Sequence, residues 1–296
     1  MKPAKINEIG NIIDKNGCQV LRMWRVDVPS GKRPLQHHQH FNFEIMYVNS
    51  GSGTYSTTHG DYPILPGDMF IFSSNEFHCI TNIENSGLTI TNLHFNPQFV
   101  WNSTPDINTK VNFNFCFSHH PDFPNRIFSA DANDLSAFFL QIQQELFHRD
   151  VEHYLSIKSL LYLLLVNLVR KHHYLDDQTR MSREQLYSIQ HTLRYIDEHF
   201  SEKITLQELS SLAGLTPTYF STLFKQVVGI PLWNYISSKR IDKAIRLITS
   251  EGSKENMIDI AVECGFNNTA NFNKTFKKFT GMTPRDYKND GYAEIS

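Results

Sequence analysis

The sequence predicts an α+β protein of at least two domains, an antiparallel β-barrel or sandwich followed by helices. Three observations predict it. From Gln19 to Phe99, short β-branched and aromatic runs alternate with turn signals. Near Ala130 the apolar spacing becomes helical. Beyond Arg183 a helical pattern repeats itself once. A length of 296 residues is long for one core and agrees with about two.

Phe43–Val48, Met69–Phe72 and Leu88–Phe95 read as strands, as does Val20 to Val28. Asn49-Ser50-Gly51-Ser52-Gly53, His59-Gly60-Asp61, Pro66-Gly67-Asp68 and Asn85-Ser86-Gly87 read as the turns between strands. Leu135, Phe138, Phe139, Ile142 and Leu146 then recur at helical spacing. A second helix, Val151 to His173, carries Leu155, Leu160, Leu161, Leu164, Leu165 and Leu168, with a break near Arg149-Asp150. This pair either covers the open side of the β domain or lends an apolar stripe to a homodimer. Leu175 to Ser182 is polar and aperiodic, as a linker is. The expected layout is residues 1–130 for the β domain, 131–174 for the helical dimerisation segment, 175–185 for the linker and 186–296 for the last domain.

Composition narrows the class. Four cysteines, Cys18, Cys79, Cys116 and Cys264, form no CxxC pair and no zinc spacing, which suits a reducing compartment. Met1 to Asp14 has no signal-peptide character, and the apolar run Ser159 to Val169 is shorter than the roughly 20 residues a bilayer requires. A cytoplasmic location is expected, with no membrane partner. The net charge of −2 hides an asymmetry. Residues 1–202 hold 16 basic and 21 acidic side chains, and residues 203–288 hold 12 and 7. All 14 histidines stand at or before His199. An acidic, histidine-bearing half and a basic half suggest two tasks, the second on nucleic acid.

The repeat says which. Leu209, Gly214-Leu215, Phe220, Phe224-Lys225, Gly229 and Tyr235 return as Ile260, Gly265-Phe266, Phe272, Phe276-Lys277, Gly281 and Tyr287. Each unit reads helix, glycine turn, helix. Thr205 with Glu208 is a capping box, Gly214 turns the chain, and Thr216 caps a helix that opens on Pro217. Phe220, Leu223, Phe224 and Val227 make the inner face of that helix, leaving Thr218, Tyr219, Ser221, Thr222 and Lys225 outside. In the second unit Asn268, Thr269, Ala270, Asn273, Lys274 and Lys277 lie opposite Phe272 and Phe276. Small polar side chains and lysine on such a helix suit the DNA major groove, where asparagine bonds adenine and a methyl touches thymine. Leu232 to Thr249 between the units spans about 27 Å as a helix, a rod matched to successive major grooves about 34 Å apart. Lys239, Arg240, Lys243 and Arg246 on it either touch phosphate or brace the two units.

Residues 186–288 resemble the DNA-binding domain of the AraC/XylS family of transcription regulators. The resemblance rests on Asp259-Ile260-Ala261 to Gly265-Phe266, Phe272 to Phe276-Lys277-Lys278, and Gly281-Met282-Thr283-Pro284 to Tyr287. It implies two helix-turn-helix units, with base-reading positions on Thr218, Ser221 and Thr222 and on Thr269, Ala270 and Lys274. Ala270 departs from the polar residue often found there, so its contact would be a methyl or none. The implied fold is a cupin-like N-terminal β-barrel plus helical pair, then the all-α DNA-binding domain.

His38-Gln39-His40, Glu44 and Gly51 resemble the first cupin motif, and His78 with Asn82 resembles the end of the second. Ser74-Asn75-Glu76 stands where that second motif has Pro-x-Gly. His38, His40 and Glu44 share parity on a strand. With His78 they either hydrogen-bond a polar effector such as a sugar, ligate a divalent metal, or are satisfied core groups. Arg22 and Trp24 are further effector candidates, Trp24 as a stacking face and Arg22 as a donor to hydroxyls, although Trp24 also suits plain core. The resemblance implies no catalysis and no cofactor. Its architecture is similar to that of regulators of sugar catabolism, rhamnose-type ones among them, with promoter DNA, RNA polymerase and a small-molecule effector as partners. The alternative is a cupin metalloenzyme or metal sensor with an appended DNA-binding domain.

Overall fold

The computed structural model describes residues 4–14, 19–32, 42–57, 59–74, 76–101, 116, 119–175, 183–249, 256–280 and 282–289. They fall into two compact units that part between residues 180 and 181. None of the described helices is long and apolar enough to cross a membrane.

The first unit is built on one antiparallel sheet. Its strands are β1 (Lys5–Ile13), β2 (Gln19–Val28), β3 (Gly31–Lys32), β4 (Phe43–Thr57), β5 (Gly60–Ile64), β6 (Met69–Phe72), β7 (His78–Phe95) and β8 (Arg126–Ile127). The order is β1-β2-β7-β4-β6-β8, with β3 on β7 and β5 on β4. A short helix, α1 (Pro97–Trp101), follows β7.

Two of the four expected turns are not turns. Asn49 to Gly53 lies inside β4 and Asn85 to Gly87 inside β7, and the two segments face each other across bulges at Val48/Ser50 and Gly51/Gly53. Glycine conformations that close a hairpin also bend a long strand, so the local signal is the same for both. Gly51, at φ +87°, shows the need: a Cβ there would stand 2.0 Å from the Gly87 carbonyl oxygen. The bend folds the sheet over. Trp24, Val26, Met46, Val48 and Ile90 from one side of it meet Tyr55, Ile80 and Ile83 from the other, with Phe70 and Phe72 between.

The helices α2 (Asn133–His148) and α3 (His153–Lys171) sit where the helical spacing put them. The break between them is made by Arg149 and Glu152, both at left-handed φ. Leu135, Phe139, Ile142 and Leu146 from α2 are buried, as are Ile157, Leu161, Leu164, Leu165 and Leu168 from α3. Phe139 packs on Tyr47 of β4, the neighbour in sequence of inward-facing Met46 and Val48, so α2 lies on the outer face of the sheet. Burying each such leucine or phenylalanine is worth about 1.5–3 kcal/mol. β1 escapes the sequence analysis because its alternation is weak; Gly10 at its centre packs so closely on α2 that a Cβ would lie 2.9 Å from the Leu146 carbonyl oxygen. Tyr174 is buried in the same unit against Phe43 and Phe123.

The second unit is all helix: α4 (Arg183–His199), α5 (Leu206–Leu212), α6 (Pro217–Val228), α7 (Leu232–Thr249), α8 (Met257–Glu263), α9 (Thr269–Thr280) and α10 (Pro284–Asn289). The capping box of α5 is present, with Glu208 N–H on Thr205 Oγ1 at 3.2 Å and Thr205 N–H on Glu208 Oε2 at 3.4 Å. The cap expected from Thr216 is not: its side chain makes no capping bond, and α6 opens on Pro217, which has no N–H to satisfy and a preset φ. Gly214 and Gly265 turn the two units at φ +68° and +85°. Ile241, Ala244 and Ile248 of α7 join Ile260, Phe272 and Phe276 in one core.

Candidate ligand site and nucleic-acid interface

Strand pairing gathers one set of polar residues of the first unit on the inner face. Glu44 of β4 lies opposite His94 of β7, and His94 lies opposite Arg22 of β2. Asn92 lies opposite both Trp24 and Met46. Paired residues share a face, so all of them look into the apolar interior that contains Trp24 and Met46.

Glu44 is fully buried. Its Oε2 stands 3.1 Å from Nε2 of His78 and 2.9 Å from Nε2 of His94. The other nitrogen of His78, Nδ1, donates to the Glu76 carbonyl at 2.9 Å, which aims Nε2 at the carboxylate. The His78 ring stacks on Phe72 with centroids 4.1 Å apart. His94 meets the Trp24 ring edge-on at 4.5 Å. Thus the effector candidates Glu44, His78, Trp24 and Arg22 form one continuous cluster through His94. His38 and His40 lie outside the described residues.

Two side chains differ from their expected roles. Arg22 donates to both carboxylate oxygens of Glu8 at 3.0–3.3 Å, and its guanidinium carbon lies 4.5 Å above the Trp24 ring. The face offered for stacking is therefore covered by arginine, and Trp24 is 1% exposed. Three contributors were missed: Asn92, His94 and Tyr55. Among the described residues, the Asn92 amide, the Trp24 indole N–H and the Tyr55 hydroxyl are buried without a hydrogen-bond partner. Burial and the nearby Glu44 and Cys79 push the Tyr55 hydroxyl well above its ordinary pKa, so it remains a donor. Asn92 and His94 carried a legible signal, since they are polar on the stripe of Leu88 and Ile90.

The second unit presents its outer helix faces as expected in most places. On α6, Thr218, Tyr219, Thr222 and Lys225 are exposed and Ser221 is half-buried. On α9, Ala270, Asn273, Lys274 and Lys277 are exposed and Thr269 is half-buried, with exposed Asn268 just before the helix. Asn268 has a structural task as well: its Oδ1 accepts the Asn271 N–H at 2.7 Å and caps α9. Tyr219 accepts from Gln185 of α4 at 2.8 Å. The Thr222 hydroxyl donates back to the Thr218 carbonyl at 3.1 Å.

Three of the four α7 cations are held within the unit. Lys239 is buried in an ion pair with Asp197 at 2.8 Å, and Asp197 also accepts from the Tyr235 hydroxyl at 2.8 Å. Arg240 donates to the carbonyls of Phe200 and Glu202, and Lys243 to the carbonyl of Glu263. These three brace the unit by tying α7 to the end of α4 and to α8.

A bent antiparallel domain with a polar cluster inside, followed by two helix-turn-helix units on one connecting helix, defines a ligand-binding DNA-binding regulator. Residues 32–165 match the AraC-like ligand binding domain, and residues 209–290 match a helix-turn-helix domain. The chain is 26% identical over 269 residues to the probable transcriptional regulator LumQ of Photobacterium leiognathi, covering 90% of this chain and 96% of that one. It is also 32% identical over 103 residues to the HTH-type regulator YobQ of Bacillus subtilis, covering 35% and 42%. Among solved structures it resembles ToxT of Vibrio cholerae, with a TM-score of 0.55 at 12% identity over 98% of each chain. ToxT bound to an unsaturated fatty acid gives a TM-score of 0.54 at 12% identity, over 94% of this chain and 97% of that one. The chain thus joins an AraC-like ligand binding domain to a helix-turn-helix domain: it is a DNA-binding transcription regulator of the AraC type with a ligand-binding domain.

Proposed function

We propose that the chain is an effector-responsive activator of a sugar-catabolism operon that works as a homodimer and contacts RNA polymerase at its promoter. The supporting observation is the set of unpartnered buried groups in the first unit. The Asn92 amide, Trp24 indole N–H and Tyr55 hydroxyl share the interior with the Glu44 carboxylate. A buried polar group without a hydrogen bond costs about 1–3 kcal/mol, and a ligand bearing several hydroxyls would recover that cost. Hydroxyls donate to Glu44 and accept from Trp24 and Tyr55, which is sugar chemistry.

Base reading falls to Thr218, Ser221 and Thr222 in one unit and to Thr269, Ala270 and Lys274 in the other. Lys225, Lys277 and Asn273 flank them toward phosphate. The homodimer reading is supported by apolar side chains that α2 and α3 leave outside, with Leu140, Phe147, Leu155, Leu163 and Val166 all exposed.

A second reading has its own support. Apart from the Glu44 cluster, the interior is apolar throughout, from Val26 to Ile90, and a ToxT structure of the same fold was solved with an unsaturated fatty acid. An amphipathic carboxylic acid, its head on Arg22 and His94, is the competing effector. A thermal-shift screen of the full chain against a sugar panel and a fatty-acid panel separates the two. A ligand at 100 times its dissociation constant adds about 2.7 kcal/mol of stability. A sugar that raises the melting temperature and changes promoter affinity supports the first reading; a fatty acid that alone does so replaces it.

A further inference from the structure

A second cluster in the first unit consists of side chains unused above, and it adjoins the effector candidates through the Glu76 carbonyl that holds His78. His59 is at the turn between β4 and β5, Glu76 just before β7, and His119 in the segment leading to β8. Each offers one ligand atom, and these atoms all lie within 4.8 Å of one another.

The surroundings orient two of the three as metal ligands are oriented. His119 Nδ1–H donates to the His120 carbonyl at 2.9 Å, leaving Nε2 to face the Glu76 carboxylate, also at 2.9 Å. A backbone carbonyl on the far nitrogen is the usual support of a ligating histidine. Glu76 is held at both oxygens: Oε1 accepts from Asn125 Nδ2 at 2.7 Å, and Oε2 from the Ser73 N–H and hydroxyl at 2.9 and 3.0 Å. Asn125 itself is fully buried at φ +56°, and the same amide bonds the Ile71 carbonyl. A non-glycine residue is kept in that conformation only where its contacts over-determine it. Here they fix the carboxylate.

His59 supplies the exposed third corner. Its ring centroid lies 5.4 Å from that of His119, and the residue is exposed. Tetrahedral zinc with bonds near 2.0–2.2 Å sets ligand atoms about 3.4 Å apart. The Glu76–His119 pair stands at 2.9 Å and the His59 ligand atom within 4.8 Å of both, so each gap lies within about 1.5 Å of that spacing.

We propose that His59, Glu76 and His119 bind one divalent transition-metal ion of the zinc class. Two imidazoles and one carboxylate select zinc, cobalt or nickel over magnesium and calcium, which prefer all-oxygen shells. Three protein ligands leave a fourth position for water or a small anion. The site does not depend on the sugar reading, and its test involves neither effector nor DNA.

The test titrates the metal-stripped full chain with zinc against a chromophoric chelator, and with cobalt(II) followed by visible absorption. One ion per chain is expected, with the intense cobalt bands of a tetrahedral site. His59→Ala, at an exposed turn, should leave the metal-free melting temperature unchanged. It should weaken zinc binding at least about tenfold and abolish the cobalt bands. Absence of stoichiometric binding overturns the proposal, as does zinc binding that His59→Ala leaves unaltered.

Discussion

Glu44 Oε2 lies 2.9 Å from Nε2 of His94, and the strand register makes the two residues direct partners on β4 and β7. His78 approaches the same oxygen from the far half of β7, beyond the bend. One buried carboxylate thus joins both ends of a strand that folds back on itself. A ligand bonded to Glu44 would therefore touch groups held by both ends of β7.

Glu44→Gln is therefore expected to abolish the effector-induced rise in melting temperature and the effector-induced change in promoter binding. Breaking one partner out of a buried charged cluster costs about 3–5 kcal/mol, so the first unit should also melt earlier. Promoter binding without effector should survive. An effector response equal to the parent's would remove Glu44 from the ligand site.

Residues 183–296 alone should bind one half-site with no effector response, because α4 to α10 form their own compact unit. In the full chain the coupling should be about 1–3 kcal/mol, read as the ratio of promoter affinities with and without effector. A fragment that still responds would place the sensor outside the first unit.

Lys274→Ala and Thr222→Ala should each weaken specific DNA binding by about 1–3 kcal/mol. Their exposure means stability should move by less than about 0.5 kcal/mol. Phe276→Ala, from the core of the second unit, should instead cost about 3–5 kcal/mol of stability. Gel-shift titration beside urea denaturation separates the two outcomes. Lys274→Ala with parental affinity for the cognate site would sink the groove assignment.

Lys239→Ala should behave like a core mutation although it removes a cation from a DNA-binding unit. The ammonium is paired with buried Asp197, and breaking such a buried ion pair costs about 3–5 kcal/mol. Because Lys239 is occupied inside, the salt slope of DNA binding should stay as in the parent. Loss of a phosphate contact would lower that slope by about one. A lowered slope would show that Lys239 faces DNA.

Gly51→Ala should disrupt the first unit and leave the second folded. The new methyl meets the Gly87 carbonyl, and the residue's φ of +87° is strained for any side chain. Conformation alone costs about 1–3 kcal/mol, and the backbone clash adds to it. Two separate melting transitions, the first lowered or lost, are the expected calorimetric result.

What the sequence determined by itself was periodic or local. The spacing of Phe220, Leu223, Phe224 and Val227, the glycine at 214 and the return of the pattern 51 residues later specify two helix-turn-helix units. Helix period, cap and turn are written within a few residues of each other, and the observed α5 to α9 agree apart from the Thr216 cap. Glu44 and His78 were legible through the resemblance of their segments to the two cupin motifs. Only tertiary structure decided the rest. Asn49–Gly53 and Asn85–Gly87 are bends rather than turns because they meet each other across the sheet, and no local signal records a partner thirty-odd residues away. His94 and Asn92 join the polar cluster around Glu44 through cross-strand register. Lys239 and Arg240 face inward because Asp197 and the end of α4 lie beside them. His59, Glu76 and His119 come from three separate segments, and nothing in their spacing brings them together. Contacts between distant segments depend on how loops close and sheets bend, which are properties of the packed chain rather than of any window along it.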